Sequence, residues 1–156
     1  MPILELSSVL EKFSEHPLLV FEAGDVVLAA GSRTGRLLVL SRGAVDVVKD
    51  DVYITRVTEP GAVFGDMAML LRQPHSADVR AVRTSSFYVI DDAEAFVTSE
   101  PWAALYLAVV LAGRLDEVNR LLIEAAGRVP GARERQGLLG HTLQQIARAM
   151  QRGVPS

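Results

Sequence analysis

Between Leu18 and Ile90 the sequence is built from short runs of Val, Leu, Tyr, Phe and Thr, cut by glycine-bearing turns at intervals of roughly ten to twenty residues. The turns are Ala23-Gly24-Asp25, Gly31-Ser32, Ser41-Arg42-Gly43 and Glu59-Pro60-Gly61. Many short strands at such spacing argue for a sandwich or a barrel. The clearest strands are Arg36–Leu40, Val45–Val48 and Ser86–Ile90, with no sustained helical period among them.

The flanks have a different texture. Ile3, Leu6, Leu10 and Phe13 recur at helical spacing with Glu5, Glu11, Lys12 and Glu15 between them, which predicts an amphipathic helix over residues 3–15, ended by Pro17. After Asp91 alanine and leucine dominate, and a helical period runs from about Ala93 to Ala126. Within it Leu105, Ala108, Ala112, Leu115, Asn119, Leu122 and Ala126 form an unbroken heptad seam with one polar member. The seam fits two arrangements equally: self-pairing into a homodimer through residues 102–126, or packing on the β-domain. Residues 127–140, with Pro130 and several glycines, read as a linker, and Leu138–Gln151 as a last short helix. The expected organisation is a domain over 1–126 followed by a linker and helix over 127–156.

A length of 156 residues with 49% hydrophobic and 22% charged residues suits a soluble domain with its own core. The net charge of -3, with acids interleaved among the bases, supplies no footprint for direct DNA binding. The absence of cysteine removes disulfides, thiolate metal sites and cysteine nucleophiles. His16, His75 and His141 lie on separate elements without paired spacing, so no metal site is expected. Met1–Leu10 lacks a basic region followed by an apolar run, and Trp102–Ala112 is about half the ~20 residues of a membrane span. A cytoplasmic protein is the expectation, and its alanine, arginine and valine richness suits a bacterial source. No Gly-x-Ser-x-Gly, Walker loop or dinucleotide fingerprint is present, and no enzymatic activity is expected.

The chemistry concentrates in Val63–Ala81. Gly65 permits close backbone approach to a ligand, and Met67–Leu71 are good helix formers, so a turn beginning there offers unpaired N–H groups and a positive dipole end to a phosphate. Asp66 either caps that turn or accepts hydrogen bonds from a sugar hydroxyl. Pro74 ends the turn and returns His75 and Ser76 toward the same space.

Phe64-Gly65-Asp66-Met67-Ala68 and Pro74-His75-Ser76-Ala77-Asp78-Val79-Arg80-Ala81 resemble, in order and spacing, the phosphate-binding cassette of cyclic nucleotide-binding domains. The N-terminal helix, the Glu22–Asp25 turn, the Leu40–Val45 hairpin and the Pro60-Gly61 turn fall where that family places them, so the resemblance covers roughly residues 3–125. It implies an α+β fold: an antiparallel, jelly-roll-like β-roll flanked by an N-terminal helix and C-terminal helices. It further implies that backbone N–H groups near Gly65, Ala68, Ser76 and Ala77 hold a cyclic phosphate, that Asp66 takes the ribose 2′-hydroxyl, that His75 pairs with the phosphate, and that Asp78 lies near the purine. The ligand expected is cAMP or cGMP, with no further cofactor.

Two positions depart from the family pattern. Asp66 stands for a glutamate and keeps the carboxylate with shorter reach. His75 stands for an arginine and replaces a permanently charged fork by a mostly neutral ring, a loss worth about a hundredfold in affinity. Arg72 is close enough in sequence to compensate, or is a solvated turn residue. The expected function is a stand-alone regulatory sensor that signals through its C-terminal helices to a protein partner. The competing expectation is a domain that has abandoned nucleotide and serves interaction or dimerisation. The length leaves no room for a DNA-recognition helix after Leu138–Gln151.

Overall fold

The computed structural model describes residues 4–127 together with His141, Gln144, Gln145 and Arg148. Two compact units divide the chain, Met1–Val110 and Leu111–Ser156. The linker and last helix expected over 127–151 lie almost wholly outside the described residues.

The first unit opens with α1 (Leu6–Phe13), followed by β1 (Leu18–Phe21), β2 (Val26–Leu28), β3 (Leu37–Arg42), β4 (Val45–Lys49), β5 (Val52–Val57) and β6 (Val63–Phe64). Then come α2 (Asp66–Leu71), β7 (Asp78–Ala81), β8 (Ser85–Ile90), α3 (Ala93–Ser99) and the start of α4 (Pro101–Gly127). The strands form two antiparallel four-stranded sheets, in the orders β1-β8-β3-β6 and β2-β7-β4-β5. This is the expected β-roll with helices before and after it. The three strands read from the sequence are present as β3, β4 and β8.

Strand β3 explains why the pattern there is a continuous apolar run rather than an alternation. Leu38 and Leu40 face the space between the sheets with Leu28, Val45, Phe64, Val79 and Phe87. Leu37 and Val39 face the other way, into a second cluster built with Val9 and Phe13 of α1, Ala93 of α3 and Tyr106 and Leu107 of α4. A strand covered on both faces has no solvent side on which polar residues would be favoured. Phe13 is fully buried and meets Trp102 and Tyr106 edge-on at centroid distances of 5.0 and 5.8 Å. Truncating so large a ring to alanine costs about 3–5 kcal/mol.

Three local expectations are corrected. Helix α1 is shorter than residues 3–15, and it buries Val9 and Phe13 while Leu6 remains 47% exposed. The helical period after Asp91 is broken at Glu100 into two helices bent by 108°. Pro101 lacks the N–H needed to continue α3 and instead begins α4, where its fixed φ is favourable. The heptad seam is not the stripe that packs on the roll: Leu105 and Ala108 are exposed, whereas Ala103, Tyr106 and Leu107 are buried.

In the second unit, α4 continues from Leu111. Leu115, Asn119, Leu122 and Ala126 are half-buried there, and Val118, Leu121 and Ile123 are exposed. Among the described residues no single helix is long and apolar enough to cross a membrane.

Candidate functional site

The loop between β6 and β7 carries the site, and its shape is set by Gly65. At φ 88° Gly65 lies in the left-handed region as the N-cap of α2, and a Cβ there would sit 2.3 Å from the Arg36 carbonyl oxygen. Only glycine satisfies both demands. Met69 N–H closes the first turn on the Gly65 carbonyl at 3.1 Å. Helix geometry leaves the N–H groups of Met67 and Ala68 without an intrahelical acceptor. Asp66 opens this turn and is only 3% exposed, while Met67 is 52% exposed. The helix stops at Arg72, itself left-handed at φ 52°, and the chain returns through Pro74 to β7.

His75 is 7% exposed. Its N–H donates to the Ser32 carbonyl at 2.9 Å, and its carbonyl accepts from Gly31 N–H at 2.8 Å. The ring Nε2 lies 2.8 Å from Thr34 Oγ1. Arg36 N–H donates into that same hydroxyl at 3.3 Å, and the hydroxyl, with one proton and two lone pairs, can meet either tautomer of the ring at Nε2. Burial pushes the His75 pKa below its usual 6.5. A cation at this position, as the sequence resemblance implies for binding phosphate, is therefore disfavoured at neutral pH.

Asp78 is also committed. Its Oδ1 accepts from Ala30 N–H at 2.7 Å and its Oδ2 from Arg80 Nη2 at 2.9 Å. The Ala30 N–H foremost, with the Arg80 guanidinium second, holds its pKa below the ordinary carboxylate value. His75 and Asp78 thus fasten the β2–β3 loop to the cassette from its two ends. That loop also reaches α3, since Ala93 N–H donates to the Gly35 carbonyl at 3.1 Å and Arg36 pairs with Asp91 at 2.9 Å.

Of the residues singled out from the sequence, Gly65, Ala68 and His75 line one open cavity of about 440 Å³. Phe64 lies in the core between the sheets, Asp66 is buried, Ser76 is exposed, and Ala77 and Asp78 are half-buried. The structure adds Thr34, Gly35, Arg33 and Glu94 to the cavity wall. Nothing in the local sequence marks these four, because the β2–β3 loop and α3 meet α2 only in the fold. Arg72 lines the same cavity, and its guanidinium pairs with Glu94 at 2.8 Å. Among the described residues no group of three or more metal-ligating side chains is assembled.

The sequence model of the cyclic nucleotide-binding domain matches residues 18–97, just over half of the chain. The chain belongs to the cyclic nucleotide-binding domain family. The Mus musculus potassium/sodium hyperpolarization-activated cyclic nucleotide-gated channel 3 is 27% identical over 139 residues, which cover 86% of this chain and 18% of the channel. The human channel 3 matches to the same extent. The chain thus spans under a fifth of the length of these relatives. Among solved structures, the Thermus thermophilus catabolite activator protein superposes with a TM-score of 0.62 at 20% identity, covering 96% of this chain and 85% of that one. A cyclic nucleotide-binding domain from Methylobacillus flagellatus gives 0.60 at 24% identity, covering 69% and 66%. These likenesses agree on the β-roll fold, and the family match over residues 18–97 includes the Phe64–Ala81 segment.

Proposed function

We propose that this chain is a non-enzymatic sensor module that binds cAMP or cGMP at the cassette and signals through movement of its C-terminal helices. The observation that carries this reading is the left-handed Gly65 opening α2 with Asp66 buried in its first turn. That arrangement leaves main-chain N–H groups for an anion, and it is the family resemblance that implies a ribose hydroxyl for the Asp66 carboxylate. The nucleotide must bind one arrangement of the helices more tightly than another for a signal to result. Isothermal titration with cAMP and with cGMP tests it. Saturable heat with either nucleotide is the expected result, and no heat with either at ~1 mM removes the reading.

A second reading, a nucleotide-free interaction module, has His75 in its favour. The imidazole that replaces the family arginine is buried against the β2–β3 loop and bonded to Thr34. On this reading α4, with Val118, Leu121 and Ile123 exposed, provides the contact surface for a second copy or another protein. Titration of the His75→Arg variant separates the two. Gain of nucleotide affinity shows a pocket that has lost one group, and no affinity in either form shows a pocket that is closed.

A further inference from the structure

Among the described residues strand β1 is the edge of its sheet and pairs only with β8. Its phase is fixed by the bond from Val89 N–H to the Pro17 carbonyl at 2.9 Å. In an antiparallel ladder such bonded pairs alternate, so Leu19 and Phe21 turn their main-chain groups toward β8, and Leu18 and Val20 turn theirs outward. The same two residues expose apolar side chains, at 51% and 57%. Open edges are ordinarily blunted by shortness, charge, proline or a bulge; β1 is four residues long and follows Pro17, while Leu18–Phe21 itself carries no charge, proline or bulge.

Beside this edge lies a cavity of about 580 Å³, lined by Leu18 and Val20 on one side and by Arg42, Arg83, Thr84 and Ser86 on the other. Val20 stands opposite Ser86, and Ser86 opposite Arg42 on β3, so one row of the sheet crosses from the apolar edge to the guanidinium. Arg83 Nη2 donates to the Gly43 carbonyl at 3.4 Å, and Arg42 has no acidic partner among the described residues. No carboxylate is among the lining groups, although the chain as a whole carries an excess of acids. Glu22, just past β1, accepts a hydrogen bond from the Thr84 hydroxyl at 2.8 Å.

We propose that β1 and this arginine cavity together dock an extended acidic peptide segment of a partner protein. The segment adds to the open edge as a further strand through the main-chain groups of Leu18 and Val20, and it sets a carboxylate side chain against Arg42 and Arg83. Apolar side chains of the segment cover Leu18 and Val20. The site is separate from the cassette and does not depend on nucleotide binding.

Fluorescence anisotropy of a short labelled peptide of Val-Thr-Glu-Thr repeats, which sets valine and glutamate in turn on one face of a strand, titrated with the full chain, tests the proposal. The glutamate peptide is expected to bind at least about tenfold more tightly than a matched valine–glutamine peptide, with an advantage that shrinks as salt is raised. The advantage should vanish in the Arg42→Gln/Arg83→Gln variant, whose thermal melt reports that it is folded. Val20→Pro, which removes one outward N–H from an edge strand without touching either arginine, should weaken both peptides. Equal affinities for the two peptides, unchanged binding to the double arginine variant, or no binding of the glutamate peptide at ~1 mM overturns the proposal. So does sedimentation showing a dimer that Val20→Lys dissolves, because the occupant of the edge would then be a second copy of the chain.

Discussion

His75 and Thr34 share a hydrogen bond of 2.8 Å that ties the cassette to the β2–β3 loop through a buried, neutral ring. The folded pKa of His75 lies below 6.5, so as pH falls the unfolded chain takes up this proton first. The site's contribution to stability is therefore complete above the unfolded value near 6.5, and it is lost as pH falls from there through the lowered folded value. Urea unfolding at pH 7 and pH 5 should show the loss, and His75→Gln should reduce it. Asp78, a carboxylate with lowered pKa, adds its own loss only in the more acidic range below its ordinary 3.8. An equal pH dependence in wild type and His75→Gln would refute the assignment.

The same burial governs ligand affinity. Because the ring stays neutral, nucleotide affinity should change by less than about twofold between pH 6.5 and 8, as read by isothermal titration. His75→Arg should raise affinity by about tenfold and lower the melting temperature, since a guanidinium cannot remain in the space the imidazole fills and must turn toward the ligand. An affinity that climbs steeply toward pH 6.5 in the wild type would show that the imidazole becomes charged in the complex.

Gly65→Ala combines a left-handed backbone with a Cβ placed 2.3 Å from the Arg36 carbonyl. A cost on the order of 2 kcal/mol or more is expected, lowering the melting temperature by about 4–8 °C and abolishing nucleotide binding with it. Ala68→Gly, an ordinary helical Ala-to-Gly change worth about 1 kcal/mol with no clash, serves as the comparison in the same melt. A wild-type melting temperature for Gly65→Ala would mean that the Arg36 carbonyl gives way freely.

Tyr106 reaches from α4 to donate its hydroxyl to the Gly61 carbonyl at a buried position. Tyr106→Phe removes the donor and leaves the carbonyl unsatisfied, a loss of about 1–2 kcal/mol in chemical unfolding. By contrast, the Arg72–Glu94 pair is 78% and 60% exposed, and a double-mutant cycle should give a coupling under ~1 kcal/mol. A larger coupling would mark that pair as a fixed bridge between α2 and α3.

Much of this fold was legible from residues alone because its signals are local. The glycine turns and the apolar runs of β3, β4 and β8 declare themselves within a few residues, and so does the Gly65–Ala68 turn. The cassette's order and spacing then tied these pieces to one family. What escaped was tertiary. The stripe Ala103, Tyr106 and Leu107 competes with a cleaner heptad beginning at Leu105, and only the packing of Phe13 against Tyr106 decides between them. The break at Glu100 was visible as Pro101, but a proline is equally at home at a helix start, so continuity and interruption could not be separated by period alone. The ring contact of His75 is with Thr34, which is 41 positions away in the chain.

The β2–β3 loop holds the cassette at one end and the head of α3 at the other, through Thr34–His75, Ala30–Asp78, Gly35–Ala93 and Arg36–Asp91. It therefore works as a connecting rod. On the sensor reading proposed above, a displacement of the cassette backbone at His75 would strain these four links or pass along them to the start of α3, a route that lies outside the roll's interior.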